Sequence, residues 1–440
     1  MKYDVCIIGL GYVGLTLSTT LANAGVTVLG LEKRADVVDL TNNGEPHFSE
    51  NGMADTLTLV AQSGALVATQ SLDGYEACDI YIITVGTPLD NSGKARLDFI
   101  EAATKQVAAH MEDGVLVILR STVKVGTARN VVMPLLEASG KIFDLAMCPE
   151  RTLEGSALHE LRNIPQIVGA DTEQASQRAA DLFHRLTHTV VNLTSLEAAE
   201  ILKLVDNTYR DVQFAFANEV ARVCDVFGVN AYEVIKAGKL GYPRTDVALP
   251  GLVGGPCLEK DPHILWQSAK EVGLDLLITK ASRTVNENQP AETVEFIHQE
   301  YVARFGQKTP VIAMLGMAFK GIPATDDLRG SMALKVLTAL RQKFESAEYR
   351  IYDSVATEYQ LRQMISDCNF CRTVEDTMKQ SDVVIITNNH PEFRQYHPSV
   401  IFELMNPGGY IYDYWNHFSN ELRGKTKGSY FSVGNIGKAK

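Results

Sequence analysis

The stretch richest in reactive side chains is Gly254-Gly255-Pro256-Cys257-Leu258-Glu259-Lys260-Asp261-Pro262. Two glycines and a proline fix a tight backbone, and Cys257 then opens a helical run expected over His263 to Val272. A thiol at a helix N-terminus has its pKa lowered and its nucleophilicity raised. Asp261 falls four residues later, on the same face of such a helix. The pattern also describes a structural cysteine buried in a turn, and the stretch alone leaves both readings open. Upstream, Lys203 and Asn207 are four apart and share one helical face, with Arg210 and Asp211 nearby. Polar groups on an otherwise apolar helix form either a solvated stripe or a site.

A second kind of chemistry is written at the N-terminal end. Gly9-Leu10-Gly11-Tyr12-Val13-Gly14 follows the apolar run Tyr3–Ile8 and precedes a helical pattern from Leu15 to Ala24. This is the strand, glycine loop and helix of a dinucleotide site. Gly9 permits the turn, Gly11 lets a pyrophosphate approach the backbone, and Gly14 lets helix and strand pack closely. The second strand, Val26–Leu31, ends at Glu32. An acid there can bond the ribose hydroxyls of NAD and repels the 2′-phosphate of NADP. Lys33 and Arg34 pull the other way, and NAD is the expectation. Two further strand patterns, Cys78–Thr84 and Val115–Arg120, lead to Val85-Gly86-Thr87-Pro88 and Ser121-Thr122-Val123. Their hydroxyls could serve the cofactor or merely cap helices.

The elements that must carry these groups read as α/β. Ser381-Asp382-Val383-Val384-Ile385-Ile386-Thr387 with Pro391 echoes Cys78-Asp79-Ile80-Tyr81-Ile82-Ile83-Thr84 with Pro88. A strand-like Pro310–Leu315 precedes it, and Tyr349–Tyr352 ends at Asp353, so the C-terminal part looks like a second unit on the same plan. Its first loop, Gly316-Met317-Ala318-Phe319-Lys320-Gly321, lacks the glycine fingerprint, which favours a different nucleotide-like ligand. Between the halves, Ser195 to Gly228 holds helical spacing with no internal proline or glycine, predicting a helix of about 30 residues.

Composition narrows the class. The chain has 440 residues and a formal charge of −12, so nucleic acid and anionic membrane are not expected partners. No apolar run reaches the ~18 residues of a membrane helix, and the N-terminus has no signal-peptide layout. Seven cysteines, an odd number with several in apolar strands, read as reduced thiols of a cytoplasmic protein. Cys368 with Cys371, and His184 with His188, have metal-like spacing but no further ligands in sequence, and no metal is expected.

Taken in order, Gly9–Gly14 with Tyr12, Val85–Pro88, Ser121–Val123, Pro149-Glu150, Lys203 with Asn207, Gly254–Asp261, and Gly316–Lys320 with Asp326-Asp327-Leu328-Arg329 resemble the UDP-glucose/GDP-mannose dehydrogenase family across essentially the whole chain. The resemblance implies two Rossmann-like doubly wound domains joined by a long central helix. An NAD-binding domain would cover 1–194, a helical dimerising middle with the thiol loop 195–302, and a nucleotide-sugar-binding domain 303–440. It implies a homodimer that oxidises the C6 alcohol of a nucleotide sugar to a carboxylate, two hydrides passing to two NAD molecules in turn.

Residue roles follow by the same match. Cys257 would hold the aldehyde as a thiohemiacetal and then a thioester. Lys203 and Asn207 would stabilise oxyanions, and Asp261 and Glu150 would position or deprotonate water. Thr122 would order a water or the cofactor. Gly9, Gly11, Tyr12, Val13, Gly14, Glu32, Thr87, Glu154 and Arg329 would bind NAD. Glu150, Arg151, Lys203, Asn207, Arg210, Gly254 and Lys320 would face the substrate, with Arg244 reaching it from the partner subunit. Cys148–Arg151 and Asn207–Val212 point to a UDP-N-acetylhexosamine; Gly255-Pro256-Cys257 lacks the Gly-His-Cys of many such members, which keeps UDP-glucose and GDP-mannose open. More remote are a two-electron β-hydroxyacid dehydrogenase, which has no use for Cys257, and a non-catalytic nucleotide-sugar sensor.

Overall fold

The computed structural model describes residues 2–90, 93–418 and 430–436. The chain divides into two compact units, Met1–Asp206 with His263–Asp275, and Asn207–Pro262 with Leu276–Lys440. The stretch 195–302 contributes to both.

The first unit is built on eight strands, in the order β3-β2-β1-β4-β5-β6-β7-β8. They are β1 (Val5–Ile8), β2 (Val28–Leu31), β3 (Leu66–Thr69), β4 (Ile80–Ile83), β5 (Val115–Leu119), β6 (Phe143–Met147), β7 (Gln166–Ala170) and β8 (Val190–Leu193). All neighbours are parallel except β6 and β7. Val5 and Ile7 enter one hydrophobic cluster while Cys6 and Ile8 enter another. A strand covered on both faces must be apolar at every position, which is why these strands are continuous runs. The order reverses between β1 and β4, and in doubly wound sheets the ligand crevice opens at that point.

The second unit repeats the plan with six parallel strands, β11-β10-β9-β12-β13-β14. These are β9 (Val311–Leu315), β10 (Glu348–Tyr352), β11 (Asn369–Phe370), β12 (Val383–Ile386), β13 (Tyr410–Asp413) and β14 (Tyr430–Ser432). The echo extends to hydrogen bonds. Thr84 Oγ donates to the carbonyls of Ile8 and Gly9, and Thr387 Oγ donates to those of Leu315 and Gly316. Gly9 and Gly316 both have positive φ, +94° and +91°.

The predicted long helix spans Leu196–Phe227, 32 residues or about 48 Å at 1.5 Å per residue. Its Leu196 and Ala199 belong to a core cluster of the first unit; Ala221 and Cys224 belong to one of the second. A second long helix, Leu277–Phe305, lies in the second unit. The expected helix around the thiol is interrupted: a single turn, Gly255–Leu258, is followed by a turn at Glu259-Lys260 and a helix Asp261–Glu271. Cys257 therefore lies inside the short turn, and Asp261, not Cys257, opens the longer helix.

Candidate active site

In the first unit the glycine loop fits a pyrophosphate. Gly11 caps the helix Tyr12–Asn23, and a Cβ built on it meets nothing within 4 Å, so open space lies where a phosphate would approach. A Cβ on Gly14 would overlap the Gly9 carbonyl oxygen, so that position must be glycine for helix and strand to pack. Glu32 is buried at the end of β2, its Oε2 accepting the Leu10 N–H at 2.9 Å and its Oε1 the Arg34 N–H at 3.0 Å. Val13 is the second residue of the same helix, half-buried. The Tyr12 hydroxyl donates to Glu50, and Glu50 also accepts the N–H groups of Gly155 and Ala157 at 2.6 and 2.9 Å. Burial and that carboxylate push the Tyr12 phenol well above its ordinary range. Sequence reasoning missed Glu50, which ties the glycine-loop helix to the loop carrying half-buried Glu154. The two hydroxyl loops hold each other: Thr87 donates to the Thr122 carbonyl, and Ser121 to the Val85 carbonyl at 2.6 Å.

Glu150 is buried with all four acceptor positions engaged. Its Oε2 takes Nε and Nη2 of Arg120 at 3.1 and 2.6 Å, and its Oε1 takes the N–H groups of Arg151 and Thr152, both at 2.7 Å. Burial pushes this carboxyl up, but the Arg120 charge and the N–H bonds outweigh it and hold it below its ordinary value. Arg120, missed in sequence, is 1% exposed and also binds the Cys148 carbonyl and Gln166. Its only signal was a charge ending the apolar run Val115–Leu119. Arg151 pairs with Asp206 at 3.0 Å. Lys203 is 8% exposed on the long helix, one turn before Asn207 at 5%.

The second unit holds the thiol loop. Of the seven cysteines only Cys257 is exposed; burial pushes the Cys148 thiol up to about 12 by comparison. The loop is fastened to the segment after β9. The Gly255 N–H donates to the Gly330 carbonyl at 2.7 Å, and Lys335 pairs with Glu259 at 2.5 Å. A Cβ at Gly254 would press on the Gly330 carbonyl and Met332, and Gly255, at φ +91°, would press on Phe319. In place of the glycine fingerprint, residues 316–331 thus form a long loop that supports the thiol. Asp261 is fully buried. Its Oδ2 accepts the Asn207 amide N–H at 2.6 Å, while its Oδ1 has no hydrogen bond and lies 3.5 Å from the Lys260 ammonium.

Other expected groups of this unit are spread more widely. Lys320 is half-buried, its ammonium 5.2 Å from the centre of the Phe319 ring. Arg329 is exposed and forks onto Asp327. Arg210 is exposed, and Arg244 stacks over Tyr242 at 4.5 Å. Asp353, at the end of β10 as Glu32 is at the end of β2, accepts four backbone N–H groups, from Met317, Ala318, Val355 and Ala356. Saturated in this way, it has no lone pair left for a ribose.

Comparison with known proteins decides the family. The NAD binding domain of the UDP-glucose/GDP-mannose dehydrogenase family matches residues 3–187, its central domain 197–288, and its UDP binding domain 313–420. The chain belongs to that family. Its chemistry is the NAD-dependent oxidation of a nucleotide sugar. A UDP-N-acetyl-D-mannosamine dehydrogenase of Pyrococcus horikoshii is 33% identical over 401 residues, 89% of this chain and 90% of the relative. A solved structure of the UDP-D-ManNAc dehydrogenase from Pyrococcus horikoshii has a TM-score of 0.86 at 31% identity, covering 99% of both chains. A UDP-glucose dehydrogenase from Pyrobaculum islandicum has a TM-score of 0.87 at 27% identity, covering 99% of this chain and 98% of that one. The backbone of this nucleotide-sugar dehydrogenase therefore does not distinguish the two sugars; its sequence leans to the acetamido relatives. Among the described residues, no group of three or more His, Cys, Asp or Glu could hold a metal ion.

Proposed function

We propose that this enzyme oxidises the C6 alcohol of a UDP-N-acetylhexosamine to the uronate, with Cys257 as covalent nucleophile. The observation that carries the proposal is an exposed thiol on a loop anchored at both flanks, followed four residues later by a buried carboxylate with one oxygen that accepts no hydrogen bond. NAD, held by Gly9, Gly11, Val13, Gly14 and Glu32, supplies the acceptor for each of two hydrides. Loss of a hydride and a proton from the alcohol gives the aldehyde. The Cys257 thiolate adds to its carbonyl carbon, forming a thiohemiacetal. Loss of a second hydride and a proton gives a thioester, and water cleaves it to the carboxylate and the free thiol.

Lys203 and the remaining N–H of the Asn207 amide stabilise negative charge on the C6 oxygen. Asp261, whose Oδ1 can still accept, orders the hydrolytic water. Glu150, with no lone pair free, holds the turn 148–152. An N-acetyl group needs a hydrogen-bond partner, which Arg151 or Arg210 can supply; Arg151 is paired with Asp206, and Arg210 is the one proposed for that part. Lys320 serves the sugar diphosphate, and Arg329, Thr122, Thr87, Tyr12 and Glu154 the cofactor side.

The exposed apolar residues Ile201, Val205, Tyr209, Phe216, Val223 and Phe227 recur at spacings of four and seven on the long helix. At 3.6 residues per turn these positions lie along one face of the helix, and the proposal places a second copy of the chain there, with Arg244 offered to the partner's substrate.

A UDP-sugar panel followed by NADH absorbance tests the substrate. UDP-N-acetylmannosamine or another acetamido sugar is expected to give the highest kcat/KM. A strong preference for UDP-glucose would overturn the choice of sugar and leave the family intact.

A further inference from the structure

Arg283, on the second long helix, is 3% exposed. Its Nη1 donates to Asp211 Oδ1 at 2.6 Å and to the carbonyl oxygen of Leu258 at 3.1 Å. Its Nε and Nη2 donate to Glu287 Oε1 at 3.2 and 3.0 Å. Leu258 is the residue after Cys257. Asp211 is fully buried, and it also accepts from Asn286 at 2.9 Å and Ser282 at 3.1 Å.

Asp211 stands one turn beyond Asn207 on the helix Leu196–Phe227, so both lie on one face. That face grips the thiol loop twice. Asn207 holds Asp261, four residues after the thiol, and Asp211 holds Arg283, which holds the carbonyl adjoining it. A buried ion pair is weak as a source of stability, because desolvation offsets the attraction. What this one provides is a fixed backbone at the residue next to a nucleophile. The guanidinium suits the task because its planar fork serves a carboxylate, a carbonyl and a second carboxylate at once, which one ammonium on a shorter reach does not.

We infer that Arg283, anchored by Asp211, is the positioning residue for Cys257: it sets the aim of the thiol without touching substrate. This rests on the reading of Cys257 as the nucleophile. Misplacing a reacting group by about 1 Å can cost ~10²-fold. Arg283→Lys keeps a charge opposite Asp211 and loses the fork. Its kcat for uronate formation should fall by about 10²-fold, with KM for NAD and for the nucleotide sugar unchanged within about twofold. The same loss should appear when the C6 aldehyde is supplied directly with NAD. Asp211→Asn, which leaves Arg283 in place and weakens its anchor, should show the same pattern at smaller size and carries the test if Arg283→Lys does not fold. A wild-type kcat in the folded variant, or a loss confined to KM, overturns the inference. Cys257→Ala run alongside separates the two ideas. If Cys257→Ala still makes uronate, the nucleophile reading fails; if it is inert while Arg283→Lys is wild type, only the positioning role fails.

Discussion

Arg120 and Glu150 illustrate how much of this enzyme rests on single buried charges. The guanidinium is 1% exposed and the carboxylate 7%, and the pair closes at 2.6 Å. Removing one partner of such a pair leaves the other charged in a dry interior. Arg120→Met should therefore destabilise the protein by roughly 3–5 kcal/mol in a denaturant titration. The pH dependence has a definite sign. Because the Glu150 pKa is held below its ordinary value, the stability it contributes is present above the unfolded carboxylate pKa and is lost as pH falls through the folded one. Glu150→Gln should flatten that part of the acid limb of the unfolding midpoint. An acid limb identical in the two proteins would show that the pair does not stabilise the native state. Neither Arg120 nor Glu50 was legible as a functional residue, because the partners of a buried charge, an opposite charge for Arg120 and a hydroxyl and two backbone N–H groups for Glu50, lie far off in sequence. Arg120 and Glu150 are 30 residues apart, and Glu50 meets Gly155 across 105. The roles proposed for Cys257 and the Lys203–Asn207 pair rest on signals that are local in sequence.

At the scale of elements, the parallel strands were readable from sequence because burial on both faces forces an unbroken apolar run. The glycine loop was readable because each glycine answers a different steric demand. That difference makes a paired prediction. Gly11→Ala adds a methyl group to open space, so it should fold with an unchanged thermal midpoint and bind NAD more weakly by about tenfold or more. Gly14→Ala forces a carbon into the Gly9 carbonyl, so it should lower the thermal midpoint or prevent folding. Equal thermal midpoints in the two variants would contradict the assigned roles. The helix break after Leu258 falls where Pro262, which has no N–H to give the Leu258 carbonyl, can start a helix but not continue one. What was not readable is where the neighbouring groups find partners: the Leu258 carbonyl binds Arg283, and Gly255 bonds Gly330, some 75 residues later, which periodicity cannot register. The second unit's loop is a similar case: the missing glycine fingerprint was visible, but its support of the thiol loop was not.

At the scale of the whole molecule, two α/β units share one 32-residue helix with exposed apolar residues along one face. Replacing Phe216 and Val223 together with Glu should convert a dimer to a monomer in light scattering. A wild-type protein that is already monomeric at micromolar concentration would remove the proposed interface. The central claim is that one thiol carries a sugar through two oxidations, and counting electrons tests it most directly. With limiting UDP-N-acetylhexosamine and excess NAD, NADH and uronate are measured to completion for the wild type and for Cys257→Ala. The account predicts two NADH and one uronate per sugar, no accumulating aldehyde, and a Cys257→Ala enzyme whose uronate formation is lost by several orders of magnitude. One NADH per sugar, or near-normal uronate formation without the thiol, would contradict it.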